Sequence, residues 1–268
     1  MYKTVHAYDR KELRAMVESK DDTSPYWRRE RISYSAAYGN ERVIAYLYLP
    51  KNAEPPFQTV IFFPGAHALS IRGSARLETW QFEFFIRSGR AVMHPIYEGT
   101  YERTMGGSWP EYKAQPNVYR EMAVQWYKDL ARSIDYLESR SEFDHDRLAY
   151  QGISWGACEG PRLMALEPRL KAGVLFWGGS YARGEVPAET DPFHFAPRSL
   201  VPTLMVNGSY DFIFPLESNQ TPLFDVLGTP KIAKRHFVVE GGHAAFNLAV
   251  VREALAWLDR YLGPPKTR

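Results

Sequence analysis

The stretch Leu148-Ala149-Tyr150-Gln151-Gly152-Ile153-Ser154-Trp155-Gly156 joins a short apolar run to a glycine-flanked serine, and a helix-forming segment follows from Trp155 to Leu166. The apolar run reads as a strand buried on both faces. The serine falls at the turn between strand and helix, in a G-x-S-x-G pattern. Crowding explains the glycines: large side chains two residues to either side of Ser154 would strike the neighbouring strand and helix. The helix start also aims N–H groups at any negative charge that develops on the serine's reaction partner. A serine beside two turn glycines can instead be an ordinary helix N-cap, so the pattern counts only with its surroundings.

Outward from this point the chain repeats the same grammar. Thr59–Phe63 is a continuous apolar run ending at Pro64-Gly65, and similar runs recur at Ala91–His94, Gly173–Trp177, Thr203–Asn207 and His236–Glu240. Between Tyr119 and Arg140, Ala123, Trp126, Leu130, Ile134 and Leu137 share one helical face; Val250, Ala254, Trp257 and Tyr261 do the same later. Strands alternating with helices predict a mostly parallel sheet covered on both sides. Near the N-terminus, Ile32–Tyr38 alternates, Gly39-Asn40 supplies a turn, and Val43–Leu49 continues, which predicts an antiparallel hairpin. Lys11–Ser19 has short helical potential, and Gly263–Arg268 reads as a frayed tail. Two long connections, 96–118 and 178–201, carry several glycines, prolines and aromatics and are expected to be pocket walls or a lid.

Composition bounds the function. A chain of 268 residues fits one α/β domain, 1–268, with a core from about 24 to 262. Hydrophobic residues are 45% and charged residues 24%, ordinary for a globular protein. With 33 basic against 31 acidic residues, interspersed, the chain shows no footprint for nucleic acid or an anionic membrane. The single cysteine precludes an intrachain disulfide. Met1-Tyr2-Lys3-Thr4-Val5-His6 has no apolar core of the kind a signal peptide needs, and a cytoplasmic location is the expectation.

A serine hydroxyl becomes a nucleophile when a base takes its proton. Of seven histidines, His243 alone lies on a loop after a late strand, in Glu240-Gly241-Gly242-His243, and follows Ser154 in the chain. An acid that orients the base is expected between the two. Asp211, in Gly208-Ser209-Tyr210-Asp211 at the end of Thr203–Asn207, is the candidate; Glu217 and Asp225 compete with it. An oxyanion needs two backbone donors: Trp155 N–H, and Ala66 N–H from Pro64-Gly65-Ala66-His67. Tyr97, Tyr101, Trp109, Trp177 and Tyr181 are candidate substrate-binding aromatics, with Tyr112 beside them, and Arg103 is a candidate contact for an acidic substrate.

The ordered set of Pro64-Gly65-Ala66-His67, the Ser154 pentapeptide, Gly208-Ser209-Tyr210-Asp211 and Gly241-Gly242-His243 resembles the α/β-hydrolase superfamily over roughly residues 24 to 262. Within it the chain is similar to dienelactone-hydrolase-like and prolyl-oligopeptidase-like serine esterases. Ser24-Pro25-Tyr26-Trp27 through Tyr97-Glu98-Gly99-Thr100-Tyr101-Glu102-Arg103 also resembles hydrolase domains appended to bacterial serine/threonine kinases, which implies that the chain can be one part of a longer multidomain protein. Three departures stand out. Pro64 replaces a histidine common in relatives, which leaves the backbone donor intact. The elbow carries Ser154 where dienelactone hydrolases proper use cysteine, while Cys158 lies a helical turn on and reads as a small packing residue. Pro161 should remove a backbone bond from the elbow helix and kink it.

The resemblance implies a carboxylic ester hydrolase with a Ser154–His243–Asp211 triad, a small-molecule ester substrate and no cofactor or metal. A peptidase or amidase would use the same atoms; the chain carries no propeller domain of the kind that restricts access in the oligopeptidases. A binding module on a hydrolase scaffold predicts loss of at least one of the three groups.

Overall fold

Successive residues of a strand point to opposite faces, and the apolar runs exploit this on both sides. The computed structural model describes residues 2–104, 109–182 and 186–268. Within the strand Phe57–Phe63, Ile61 and Phe63 enter one core and Val60 and Phe62 the other. The first core lies under the long helix Pro116–Glu138, through Trp126, Leu130, Ile134 and Leu137, and under the helix Trp155–Leu166. The second lies under Glu83–Arg87 and the C-terminal helix Leu248–Leu262, through Phe85, Ile86, Val250, Ala254 and Trp257. Each large apolar side chain fully buried this way contributes about 1.5–3 kcal/mol.

Nine strands form one sheet: β1 Met16–Asp21, β2 Trp27–Ser35, β3 Arg42–Pro50, β4 Phe57–Phe63, β5 Ala91–Pro95, β6 Phe143–Ile153, β7 Leu170–Phe176, β8 Thr203–Gly208 and β9 Lys234–Val239, in the order β1-β2-β3-β5-β4-β6-β7-β8-β9. β1, β2, β3 and β5 pair antiparallel; β5, β4, β6, β7, β8 and β9 run parallel. The expected architecture, a mostly parallel sheet with an N-terminal antiparallel hairpin and helices on both faces, is the one found. Right-handed crossovers with helices on the faces favour this arrangement.

Local expectations needed correction. Part of Lys11–Ser19, read as helical, is the edge strand β1, whose Met16, Val17, Ser19, Lys20 and Asp21 pair with Ser33, Ile32, Arg31, Glu30 and Arg29 of β2. The open edge of β2 outweighs the helix propensity of Met, Glu and Lys there. Ion pairs of Glu18 with Arg31 and of Asp21 with Arg29 line the outer edge with charge, which discourages further pairing. His145 belongs to the start of β6. The segment Gly263–Arg268 is pinned: Arg268 N–H donates to Asn52 O at 2.9 Å, Glu54 N–H donates to Lys266 O at 3.0 Å, and Thr267 bridges to Ala53. The Trp155–Leu166 helix runs on through Pro161 to its end. Of the long connections, residues 105–108 (with Gly106 and Gly107) and 183–185 lie outside the described residues. No helix among the described residues is long and apolar enough to cross a membrane.

Candidate active site

Strand β6 delivers Ser154 into a backbone conformation that a side-chain-bearing residue rarely adopts, φ 50° and ψ −109°. Such a residue costs on the order of 1–3 kcal/mol and persists only where its surroundings hold it. Here they do. Ser154 N–H donates to Phe176 O on β7 at 2.7 Å, and Gly156 N–H donates to Pro64 O at 3.1 Å. The turn is tight enough that a Cβ on Gly152 would lie 2.3 Å from Gly156 O, and one on Gly156 would lie 2.4 Å from Phe63 O. The two glycines are therefore a steric requirement of the turn. Tyr150 Oη fastens the same turn by donating to Gly156 O at 2.6 Å.

Three strand ends converge on the serine. His243 follows β9, and its Nε2 lies 3.0 Å from Ser154 Oγ. Its Nδ1 lies 2.8 Å from Asp211 Oδ2 on the loop after β8. The other oxygen of Asp211 accepts from Ile213 N–H at 2.9 Å and Phe214 N–H at 3.0 Å, which locks the carboxylate. The Asp211 side chain is buried and that of His243 is 18% exposed, so the base alone reaches the solvent side. Glu217 and Asp225, the competing acids, are both exposed. An imidazole held by a carboxylate on Nδ1 presents an acceptor at Nε2, and such an arrangement can take the proton of a serine hydroxyl.

The loop after β4 lies against the serine. A Cβ on Gly65 would come 3.6 Å from Ser154 Cβ, and Ala66 opens the short 3-10 turn Ala66–Leu69. Trp155 is the first residue of its helix. The first amides of helical turns lack partners within their own element, and Ala66 and Trp155 both stand at such starts.

The aromatic candidates divide. Tyr97 is fully buried, with its ring stacked on Phe63 at 4.0 Å, and Tyr101 is buried beside His94 at 5.8 Å. Both are core residues, because the loop carrying them folds back over the sheet. Trp177 is also buried; its indole N–H donates to Ala245 O at 3.1 Å, and its ring is 6.4 Å from that of His243. It braces the histidine loop. Trp109 and Tyr181 are only partly buried. Trp109 stands 5.4 Å from Trp155 and 5.8 Å from Tyr181, ring centre to ring centre. Tyr112 is buried. Arg103 faces inward, paired with Asp129 at 2.6 Å, Glu98 at 2.6 Å and Glu41 at 3.2 Å, so its charge is committed within the fold.

Two residues escaped notice in the sequence. Phe214 places its ring 5.9 Å from that of His243. Glu159, fully buried on the elbow helix, pairs with Arg162 at 2.8 Å and accepts from Tyr119 Oη at 2.8 Å and Tyr181 Oη at 3.0 Å. The i,i+3 spacing of Glu159 and Arg162 on one helix was the readable signal. Cys158 is buried, which pushes its thiol up, and its Sγ accepts from Gly179 N–H at 3.5 Å. No group of three or more metal-ligating side chains occurs among the described residues.

No family model matches the chain. The protein YtaP of Bacillus subtilis (strain 168), assigned as a hydrolase, is 25% identical over 265 residues, spanning 84% of this chain and 85% of its own length. Cutinase 2 of Thermobifida cellulosilytica is 25% identical over 194 residues, 65% of this chain and 68% of that protein. Among solved structures, a cold-adapted esterase from an Arctic intertidal metagenomic library superposes with a TM-score of 0.71 at 20% identity, covering 92% of this chain and 99% of that one.

Proposed function

We propose that this chain, which has the α/β-hydrolase fold, is a serine hydrolase that cleaves carboxylic esters. The observation that carries the reading is the continuous relay from Ser154 Oγ to His243 Nε2 at 3.0 Å and from Nδ1 to Asp211 at 2.8 Å. The strained turn that presents the serine supports it, as does the likeness to the cutinase and the esterase.

In this reading Ser154 Oγ attacks the ester carbonyl carbon while its proton passes to His243 Nε2. The carbonyl oxygen becomes an oxyanion facing Trp155 N–H and Ala66 N–H. Asp211 stabilises the imidazolium and keeps its tautomer. The tetrahedral species collapses, His243 returns the proton to the departing alcohol oxygen, and an acyl-serine remains. Water then attacks the acyl carbon with His243 as base, and the acid leaves with Ser154 restored. Each step is complete with the chain's own residues and water.

Ser154→Ala removes the nucleophile and leaves the fold. Hydrolysis of p-nitrophenyl acetate should fall by roughly 10³-fold or more, to what the donors and binding alone supply. Retention of most of the activity would sink the reading. Amide cleavage needs the same atoms, and paired assays on an ester and its matching anilide separate the two.

A further inference from the structure

We infer that His67 is a specificity-determining residue: its imidazole hydrogen-bonds a hydroxyl on the alcohol portion of the substrate, so partial esters of vicinal diols are the preferred class. The inference rests on the serine-esterase reading above and names the substrate class for the same centre. His67 belongs to the short 3-10 turn Ala66–Leu69 on the loop after β4, and it is exposed.

Distance ties it to Ser154. Around the point where a Cβ on Gly65 would stand, His67 Nδ1 lies at 3.1 Å, His67 Cε1 at 3.4 Å and Ser154 Cβ at 3.6 Å. The imidazole nitrogen and the nucleophile's Cβ are therefore at most about 7 Å apart, the sum of two of those distances. Gly65 has an ordinary φ of −75°, so the backbone does not demand a glycine there. Its missing side chain leaves the space into which the His67 ring folds beside Ser154.

A line of side chains between the two histidines marks the alcohol side. In the esterase reading His243 returns its proton to the departing alcohol oxygen, so the alcohol portion begins beside that imidazole. From the His243 ring the line runs to Trp177 at 6.4 Å and on to Trp80 at 6.3 Å, ring centre to ring centre. Trp80 is 43% exposed, and its indole N–H donates to Glu78 at 3.1 Å. Glu78 closes the line on His67: desolvation holds this imidazole below its ordinary value, while the Glu78 carboxylate pulls it the other way. A neutral imidazole carries one N–H donor and one bare acceptor nitrogen. A hydroxyl can serve either nitrogen, whereas a methyl group in its place would strip water from the ring and return no hydrogen bond. The Glu78 carboxylate on the same line disfavours an anionic alcohol portion. A hydroxyl on the carbon beside the ester-bearing carbon extends up to about 6 Å from Ser154 Oγ, within hydrogen-bonding range of the ring.

The test compares kcat/KM on ethylene glycol monoacetate with that on propyl acetate, in the wild type, His67→Ala and His67→Gln. The two esters share the acyl group and differ by a hydroxyl in place of a methyl. His67 sits on an exposed turn, so both variants should fold, as thermal melting will verify. The expected result is a ratio of glycol to propyl ester that falls about fivefold in His67→Ala, through KM, the size of one net neutral hydrogen bond. Glutamine donates and accepts at a similar reach and should restore most of the ratio. An unchanged ratio in folded His67→Ala, or one that glutamine leaves at the alanine value, overturns the hydrogen bond and leaves the esterase intact. A wild type that cleaves p-nitrophenyl acetate and neither alkyl acetate does the same. Activity on all three esters surviving in Ser154→Ala instead overturns the reading beneath it.

Discussion

At Gly152 and Gly156 the side chain is a single hydrogen because backbone atoms occupy the space where a Cβ would stand. Gly152→Ala would push a methyl group to 2.3 Å from Gly156 O and 2.7 Å from Ala157 N, and backbone cannot swing aside as a side chain can. The expected cost is about 3 kcal/mol, or roughly 6–12 °C in Tm, read by thermal melting. A variant that melts with the wild type would show that the elbow is looser than this packing. Asp211→Asn tests the next position. Its amide can still occupy the site, but its NH2 group in place of the carboxylate oxygen disfavours the tautomer in which Nδ1 carries the proton. The expected loss is roughly 10³–10⁴-fold in kcat with KM little changed. Steady-state kinetics on p-nitrophenyl acetate decide it, and a kcat within tenfold of wild type would remove Asp211 from the relay. These residues were legible because chemistry restricts them: few side chains can attack, take a proton or orient a base, and their order along the chain is readable. Glu159 and Phe214 were not, since a buried acid and a packing ring become visible only when another element supplies the partner.

Among elements, the loop 96–104 shows how a polar cluster can hold a connection against the sheet. The one Arg103 guanidinium faces three carboxylates, Asp129, Glu98 and Glu41, and Tyr38 from the β2–β3 turn joins the cluster. Trp126 Nε1 donates to Glu98 O at 2.9 Å, and the Trp126 ring stands 4.9 Å from that of Trp155, so the cluster supports the aromatic layer behind the serine. Burial, and then the neighbouring Asp129 and Glu41 charges, outweigh Arg103 and push Glu98 up to about 7 from an ordinary value of 4.5. The folded state thus holds this proton more tightly than the unfolded chain. The stabilisation is present in full below pH 4.5 and is lost as the pH rises to about 7. The size is on the order of 2 kcal/mol. Glu98→Gln stays neutral and should flatten that slope in urea melts taken across this range. Parallel pH dependence in the two proteins would rule Glu98 out as its source. Nothing in Tyr97-Glu98-Gly99-Thr100-Tyr101-Glu102-Arg103 as a string announces the cluster, because Asp129 and Tyr38 arrive from distant elements. The same non-local logic hid β1, whose residues favour a helix until the edge of β2 offers them hydrogen bonds.

For the molecule as a whole, the buried strands and the order of Ser154, Asp211 and His243 pointed to the carboxyl ends of β6, β8 and β9, where these three side chains meet. Periodicity does not say which strands are neighbours, so the insertion of β5 between β3 and β4 came only with the structure. The opposite, amino end of β4 carries the segment after the C-terminal helix. Arg268 N–H and Lys266 O bond to Asn52 and Glu54, while Gln58 Nε2, near the start of β4, donates to Leu262 O, Gly263 O and Pro264 O. A proline- and lysine-bearing end reads as frayed by composition, yet these backbone bonds close it onto the sheet. Strand β4 separates this end from the Ser154 turn by roughly 20 Å at about 3.3 Å per residue. Removing residues 264–268 should therefore cost about 2 kcal/mol, the net worth of two or so backbone hydrogen bonds, and lower Tm by roughly 4–8 °C. Ester hydrolysis well below the melting temperature should keep its kcat/KM within about twofold, since none of these bonds touches the relay. Differential scanning calorimetry and kinetics on the same preparation separate the two effects. A truncated protein that melts with the full chain would return the segment to a frayed tail, and one that loses activity while still folded would mean that the two ends of β4 are coupled.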